Sequence, residues 1–289
     1  MSLAARILLG ALTALALIYV WRWFALERGR TRDPVPASRG VIHGLTGFVT
    51  NFFDTLGVGS FAPTTSLYKL LRLVPDERIP GTLNAGHALP TVAQALIFIA
   101  AVTVDPTTLI AMISAAVLGA WLGSGFVARL PRRGIQLGMG VALLAAAALF
   151  VLGIAGWIPA GGEATQLRGP LFAIAIVCNF ALGALMTLGV GLYAPCLILV
   201  SLLGMNPIAA FPIMMGSCAF LMPVAGLRFI SAQRYDARAA LGLALGGIPG
   251  VLIAAFIVKR LPLLWLQRLV VIVVLYAAVA MLRAARSRD

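Results

Sequence analysis

Long apolar runs separated by short basic segments dominate the pattern of this chain. A helix that crosses the hydrocarbon core of a bilayer needs about 20 apolar residues. Runs of about that length lie near 3–21, 80–103, 107–128, 135–157, 207–228, 239–258 and 263–282. The pattern therefore predicts an all-α polytopic membrane protein.

The first run has two interpretations, a cleaved signal peptide or a permanent helix. A signal peptide would need small residues at a cleavage site, whereas Trp21-Arg22-Trp23 and an arginine-rich stretch follow the run. We therefore interpret residues 1–40 as an N-terminal transmembrane helix followed by a basic cytoplasmic loop.

Two further apolar stretches, 41–73 and 170–203, do not fit a simple crossing. Each has more than 30 residues and is interrupted by glycine and proline, so an unbroken helix would overshoot the bilayer. The two stretches also resemble each other. Residues 55–63 read TLGVGSFAP and residues 187–195 read TLGVGLYAP, so seven of nine positions match at an offset of 132.

The offset persists beyond this motif, which argues against a chance match. The tripeptide Arg129-Leu130-Pro131 recurs as Arg260-Leu261-Pro262, and several single residues recur within one position of the same spacing. These pairs are Pro75 with Pro207, Pro80 with Pro212, Asp105 with Asp236 and Gly119 with Gly250. We interpret the chain as two repeats, 41–157 and 170–284, preceded by one extra helix.

The distribution of positive charge indicates how the repeats are oriented. If the stretches 41–73 and 170–203 are each a re-entrant hairpin of two half-helices, each repeat crosses the membrane three times. The second copy is then inverted. With loop 22–39 in the cytoplasm, this topology places 17 of the 22 basic residues inside, whereas crossing stretches would leave 12 inside. The positive-inside rule favours the hairpins, with a periplasmic N-terminus and a cytoplasmic C-terminus.

Composition excludes several other classes of protein. Hydrophobic residues make up 61% and charged residues 11%, whereas soluble domains average roughly 45–50% and about 25%. The net charge of +13 lies in clusters between apolar runs, which is typical of cytoplasmic loops rather than of a nucleic-acid-binding surface. The three cysteines lie in apolar segments, so no disulfide framework is indicated.

A Gly-Val-Gly sequence in each repeat predicts a chain reversal inside the membrane. Gly57 and Gly59 would supply it in the first hairpin, and Gly189 and Gly191 in the second, because glycine tolerates the backbone angles of a reversal. The half-helix before each reversal is expected to have about 14 residues. It would reach roughly 20 Å, past the midplane but short of the far side.

Free backbone amides at each reversal predict an anion site. Pro63 and Pro195 fall where a second half-helix would have its first turn, and Ser60 is expected to be an N-cap. Amides near 59–62 and 191–194 would lack partners, and helix N-termini attract anions. Two inverted hairpins would bring two such ends together near the bilayer centre. The alternative is that the glycines only allow close helix packing.

These features resemble the TauE/SafE sulfite exporter family, also called the TSUP anion permeases, over about residues 41–284. In that family each half has a glycine-rich turn with a proline four to five residues later, and an Arg-Leu-Pro turn near its end. Here Gly57–Gly59 precedes Pro63 and Gly189–Gly191 precedes Pro195, although Gly-Val-Gly replaces a glycine triplet. The resemblance implies an exporter of sulfur-containing anions such as sulfite, sulfoacetate or other organosulfonates.

Polar residues near the first reversal are candidates for binding substrate and protons. Asp54 would lie inside the membrane, so we interpret it as a proton-linked group, the alternative being a neutral structural aspartate. His87 and Asn84 lie one turn apart on the next predicted helix, with Gln94 two turns beyond His87. They are expected to face a cavity, the alternative being hydrogen bonds between helices.

The complete set of candidates combines both reversals and these polar side chains. The substrate-binding candidates are Gly57, Gly59, Ser60, Phe61, Asn84, His87, Thr187, Gly189, Gly191, Tyr193 and Ser217. Asp54 and His87 are the candidates for proton coupling, and Asn51, Thr55 and Asn179 have similar standing as substrate ligands. No catalytic residue, metal site or cofactor is predicted.

The sequence thus predicts a proton-coupled anion transporter of a bacterial inner membrane, with alternating access around a midplane site. Its expected partners are a small anion and the lipid bilayer, without nucleic acid, and the oligomeric state is not indicated. The alternatives are a passive anion channel and an intramembrane enzyme. Asp54 and His87 could form a catalytic pair, but no G-x-S-x-G, H-E-x-x-H or nucleotide motif accompanies them.

Overall fold

A computed structural model describes residues 2–29, 37–127, 162–186 and 191–258, together with scattered helical positions within 133–155 and 268–286. Both Arg-Leu-Pro turns lie outside the described residues, as do most of the predicted spans 135–157 and 263–282.

Helices make up nearly all of the described parts of the chain. We number the α-helices α1 Leu3–Glu27, α2 Ala37–Thr55, α3 Phe61–Leu70, α4 Ile79–Gly86, α5 Ala88–Ala101, α6 Pro106–Val127, α7 Gly169–Met186, α8 Tyr193–Leu202, α9 Ala210–Ser231 and α10 Ala237–Val258. Short 3-10 turns, Asp76–Arg78 and Pro207–Ala209, lead into α4 and α9.

Five described helical segments are long and apolar enough to cross a membrane. They are Leu3–Glu27, Asp76–Ala101, Gly169–Met186, Pro207–Ser231 and Ala237–Ile257. The prediction of an all-α chain with several helices that could span a membrane is therefore confirmed for the described residues.

The first long apolar stretch is interrupted where the sequence predicts, and in the second one α7 ends at Met186 and α8 begins at Tyr193, with 187–190 outside the described residues. The first break follows α2, and Gly57 and Gly59 have φ angles of 97° and 86°, which side-chain-bearing residues rarely adopt. The helices before the breaks, α2 and α7, contain 19 and 18 residues instead of about 14. Each helix ends at the repeated motif, and α2 gains its extra length at its start, at Ala37. At 1.5 Å per residue they reach about 27–29 Å, and the depth of each reversal stays a prediction.

The predicted span 80–103 differs from expectation because it is two helices. α4 ends at Gly86 and α5 begins at Ala88, which leaves His87 at the junction. Pro90 explains the interruption. It has no N–H to donate to the carbonyl of Gly86, four residues earlier, and its ring displaces that carbonyl.

The chain forms two compact units, and each unit contains segments from both halves of the sequence. The first unit comprises 1–55, 59–100 and 218–256, and the second comprises 56–58, 101–217 and 257–289. The repeat boundaries 41–157 and 170–284 stay a prediction.

Within the first unit, α2 and α10 approach closely. A Cβ atom added to Gly250 of α10 would meet the carbonyl oxygen of Phe48 on α2. Likewise, a Cβ added to Gly47 of α2 would lie 2.5 Å from the carbonyl oxygen of Leu243. Only glycine fits this crossing, as is typical of helices packed in membranes.

Within the second unit, α6 and α7 pack along their lengths in the same manner. A Cβ atom added to Gly119 of α6 would meet the carbonyl oxygen of Phe180 on α7. Phe48 and Phe180 lie 132 residues apart, and Gly119 and Gly250 lie 131 apart. The two crossings therefore use residues that the proposed duplication pairs, whereas the inversion of one repeat stays a prediction.

Candidate functional site

The last two turns of α2 carry buried polar side chains on one face. Asn51, Asp54 and Thr55 have exposed fractions of 0%, 3% and 0%. Residues three and four positions apart on a helix point the same way, so these side chains share a face at the first break. Polar groups in such a position need partners within the protein, because lipid provides none.

Gln94 of α5 joins the end of α2 to the next helix. Its Nε2 atom donates to Oδ2 of Asp54 and to Oγ1 of Thr55, both at 2.9 Å. Asp54 also lies within hydrogen-bonding reach of the hydroxyl and the backbone amide of Ser60. The carboxyl group of Asp54 is therefore surrounded by hydrogen-bond donors at the first break.

Ser60 occupies the N-cap position of α3, as predicted, but it does not cap the helix. Its backbone is helical, with φ −87° and ψ −26°, and its side chain makes no capping hydrogen bond. An N-cap side chain reaches the amides of its own helix from an extended backbone, and this conformation does not provide that geometry. Ser60 lies beside Asp54 instead.

His87, at the junction of α4 and α5, is fully buried against α2 and α3. Its Nδ1 atom lies 3.1 Å from Oδ1 of Asn51, and its Nε2 atom lies 3.1 Å from Oγ1 of Thr64. The ring of Phe61 lies 6.0 Å from the imidazole, centroid to centroid. Both ring nitrogens are therefore engaged.

Together these side chains form one polar cluster within the first unit. We call it the first-break cluster and define it as Asn51, Asp54, Thr55, Thr64, His87 and Gln94. Thr64 is not among the candidates predicted from the sequence. The available signal was its position four residues after Ser60, which places both on one face of α3 once the helix start is known.

Other candidates lie near the breaks without joining this cluster. A Cβ on Gly57 would pack within the second unit, 3.7 Å from Leu197 and 4.0 Å from Met214. Gly59 and Gly191 each have open space where a Cβ would stand, with nothing within 4 Å. Open space beside the backbone is compatible with a ligand reaching the main chain at these two glycines.

The remaining candidates make local contacts or lie beyond the described parts. Asn84 donates from Nδ2 to the carbonyl of Pro80 at 2.9 Å, and Ser217 donates to the carbonyl of Ile213 at 2.7 Å. Tyr193, the first residue of α8, is 5% exposed. Thr187 and Gly189 lie outside the described residues.

The extra N-terminal helix also reaches the neighbourhood of His87. The hydroxyl of Tyr19 donates to the carbonyl of Ala85 at 2.8 Å, just before the α4–α5 junction. Nearer its end, Trp23 donates from Nε1 to the hydroxyl of Tyr235 at 3.1 Å, and Tyr235 donates to Glu27 at 2.6 Å. These contacts of α1 near the site are not predicted from the sequence.

The first-break cluster combines proton-exchanging groups with neutral hydrogen-bond donors. A carboxyl group and an imidazole exchange protons, while amides and hydroxyls donate to an anion without the strong attraction of a full positive charge. No lysine or arginine belongs to the cluster. In the structure these groups bind one another, so the cluster is a connected hydrogen-bond network that contains an acid and an imidazole.

Comparison with known proteins identifies one family. The family model described as sulfite exporter TauE/SafE matches residues 2–150, just over half of the chain. This match includes α1 to α6 and the whole first-break cluster. No curated protein and no solved structure matches the chain.

Proposed function

This chain belongs to the sulfite exporter TauE/SafE family, and on that premise we propose that it carries sulfur-containing anions out of a bacterial cell across the inner membrane. Membership makes it a membrane protein of a transporter family. The proposed substrates are sulfite and small organosulfonates such as sulfoacetate.

The first-break cluster is the observation that carries this proposal. Asp54 and His87 are buried at a point where the backbone leaves helical geometry at Gly57 and Gly59. Ionisable residues inside a membrane segment are costly and mark transport pathways by default. Helices that break inside transporters commonly hold the substrate at the break, where helix N-termini attract anions.

We assign the anion to the start of α3, where Gly59 leaves its backbone open to a ligand. The amides of residues 59, 61 and 62 would donate to oxyanion oxygens, whereas the amide and the hydroxyl of Ser60 would have to leave Asp54 to join them. Because α3 has ten residues, its N-terminus carries the partial positive charge of a regular helix. A second contribution from the other break, around Gly191, stays a prediction, as does a shared site near the bilayer midplane.

Proton coupling follows from the need to neutralise a buried charge. An anion that leaves water must be paired, since an isolated buried ion is very costly. Asp54 and His87 can take up a proton as the anion arrives, which leaves the loaded site closer to neutral. Transport would then be an alternating-access cycle in which anion and proton move together.

Binding of anions by the purified protein is the first test. We expect sulfite or small sulfonates to raise its thermal unfolding temperature, with sulfate and small carboxylates as competing probes in the same panel. Ligands that bind only the folded state stabilise it in proportion to the logarithm of their concentration. If no anion in the panel stabilises the protein, the proposal fails.

Counterflow in proteoliposomes separates a carrier from a passive channel. A carrier accelerates uptake of labelled substrate when unlabelled substrate is present on the far side, because both exchange through one alternating site. Single-channel currents without such exchange would support the channel instead.

A further inference from the structure

The hydrogen bonds around His87 form a switch that one proton can set. We infer that Thr64 transmits the protonation state of His87 to the carbonyl group of Ser60, at the start of α3. Because Ser60 borders the proposed anion site, this inference rests on the proposed function and adds to it the residue that links proton to anion.

Asn51 decides which nitrogen of His87 carries the first proton. The amide of Asn51 donates from Nδ2 to the carbonyl of Gly47 at 2.8 Å, so its Oδ1 atom is the one turned toward His87. A carbonyl oxygen only accepts hydrogen bonds. Nδ1 of His87 must therefore be the protonated nitrogen in the neutral ring, which leaves Nε2 as an acceptor.

Thr64 has one hydroxyl hydrogen and two acceptors within reach. Its Oγ1 atom lies 2.7 Å from the carbonyl oxygen of Ser60 and 3.1 Å from Nε2 of His87. A hydroxyl donates once, so it serves either Ser60 or His87 at any moment. The protonation state of His87 decides between them.

The two states differ by one proton and the rotation of one hydroxyl. When His87 is neutral, the Thr64 hydroxyl donates to Nε2, and the carbonyl of Ser60 keeps only the backbone N–H of Thr64, at 3.1 Å. When a proton from water binds Nε2, that nitrogen becomes a donor to Oγ1 of Thr64. The hydroxyl hydrogen then turns to Ser60, and loss of the proton reverses both changes.

The charged and titratable groups near His87 bear on how the switch would depend on pH. The elements packed around it are α2, α3, α10 and, through Asn84 and Ala85, α1 and α9. The charged or titratable side chains on these elements include His43 and Asp54 of α2, Tyr68 and Lys69 of α3, Tyr19 of α1, Arg228 of α9 and Arg238 of α10, with Asp236 just before α10. Of these, Asp54 belongs to the cluster itself.

A proton on His87 and an anion at the start of α3 therefore favour each other. The imidazolium is a buried positive charge that needs a counter-charge, and a bound anion supplies one. By linkage, an anion that promotes protonation must itself bind more tightly to the protonated protein. Thr64 links the two events, because its hydroxyl turns to Ser60 only when His87 is charged.

Nitrogen NMR of the histidine ring tests the switch directly. The chain has two histidines, so ¹⁵N-histidine labelling of a His43→Gln variant leaves His87 as the only ring signal. We expect the neutral ring to carry its proton on Nδ1, and we expect Thr64→Val to alter its acid titration. A neutral ring protonated on Nε2, or a titration that Thr64→Val leaves unchanged, overturns the inference whether or not any anion binds.

Proton uptake on anion binding tests the link to substrate. Methanesulfonate is a suitable probe because it stays fully ionised near neutral pH, so any proton taken up belongs to the protein. Calorimetry in buffers of different protonation enthalpy counts those protons. We expect Thr64→Val to bind the anion but lose more than half of the uptake, and Thr64→Ser to restore it.

Thr50→Val is the matched control. Thr50 is buried and donates to the carbonyl of Thr46 at 2.8 Å, the same bond within a helix turn that Thr64 makes to Ser60. We expect this variant to keep its proton uptake. Binding with unchanged uptake in Thr64→Val refutes the switch and leaves the transporter proposal standing. Absence of binding in the unmodified protein refutes the transporter proposal, and the NMR titration then decides the switch.

Discussion

The two breaks share a backbone motif but differ in the side chains around them. Gly-Val-Gly occurs in both, and each preceding helix packs through a glycine against a helix of its own unit. At an offset of 132, however, Asn51, Asp54, Thr64, His87 and Gln94 correspond to Gly183, Met186, Cys196, Ala219 and Gly226. Of the cluster, only Thr55 has an identical counterpart, Thr187, so the second break lacks the acid, the imidazole and the amides of the first.

This difference distinguishes two functions that the duplicated backbone alone would not: offering main-chain amides and exchanging a proton through side chains. Both breaks can offer main-chain amides, because that depends on glycine and on where helices stop. Only the first can exchange a proton through its side chains, since the duplicated positions hold no acid or imidazole. On the proposed function, proton coupling would therefore belong to the first repeat.

The close helix crossing at a glycine, which the two regions share, gives the largest expected effect, on thermal stability. Gly119→Ala and Gly250→Ala each place a Cβ against the carbonyl of Phe180 or Phe48. Overpacking of this kind costs about 1–3 kcal/mol, so both variants should lower the unfolding temperature by similar amounts. Gly10→Ala is the control, because nothing lies within 4 Å of its added Cβ. If only one of the two substitutions lowered the unfolding temperature, the two crossings would not be equivalent.

The difference in titratable side chains between the two breaks gives the next largest effect, on transport. Asp54→Asn keeps the shape of the side chain but removes its proton exchange, and we expect transport to fall about tenfold, equivalent to about 1.4 kcal/mol. Its dependence on pH should flatten as well. Met186→Leu, at the matching position, is expected to leave the pH profile unchanged. Retention of full pH-dependent transport by Asp54→Asn in liposomes would remove Asp54 from the coupling mechanism.

Loss of a shared donor is expected to lower stability and not to change the pH profile. Gln94→Leu removes the hydrogen bonds to Asp54 and Thr55 and leaves two buried acceptors short of a donor, at a cost of about 1–3 kcal/mol. Thermal unfolding measures this loss. Gln166→Leu, an exposed glutamine that accepts from Arg168, should change stability by less than about 0.5 kcal/mol. Equal stability of the two variants would contradict a supporting role for Gln94.

The smallest effect is expected where the second break is given one residue of the first. Cys196→Thr introduces the counterpart of Thr64 at a fully buried position. We expect a change of less than about 1 kcal/mol in stability, because the volumes are similar and the carbonyl four residues earlier accepts the new hydroxyl. The pH profile of transport should not change, since residue 219 is alanine. A new pH dependence would mean that a hydroxyl alone confers coupling.

Sequence alone predicts the breaks and the titratable residues for a physical reason. Glycine spacing and length reveal where a helix cannot continue, so the interruption after α2 and the positive φ of Gly57 and Gly59 could be anticipated. Asp54 and His87 stand out because ionisable groups are rare in apolar runs. These are properties of a residue and its neighbours along the chain.

Partnerships across helices could not be predicted in the same way. Thr64 becomes part of the cluster only because α3 turns it toward His87, and Gln94 meets Asp54 across 40 positions of sequence. Ser60 faces Asp54 instead of capping α3, which depends on a backbone angle that its sequence context does not fix. The α4–α5 junction could have been predicted from Pro90, but the long apolar run 80–103 suggested a single helix.

Most of α1 faces outward, and only Leu12, Tyr19 and Trp23 are buried along its 25 residues. Apolar surface gains nothing by leaving lipid for another helix, so the aromatic hydroxyls and the indole hold α1 in register with the first unit. Its outward-facing leucines and alanines are interchangeable in principle. A different apolar helix would serve equally, provided that Tyr19, Trp23 and Glu27 kept their relative positions along its axis.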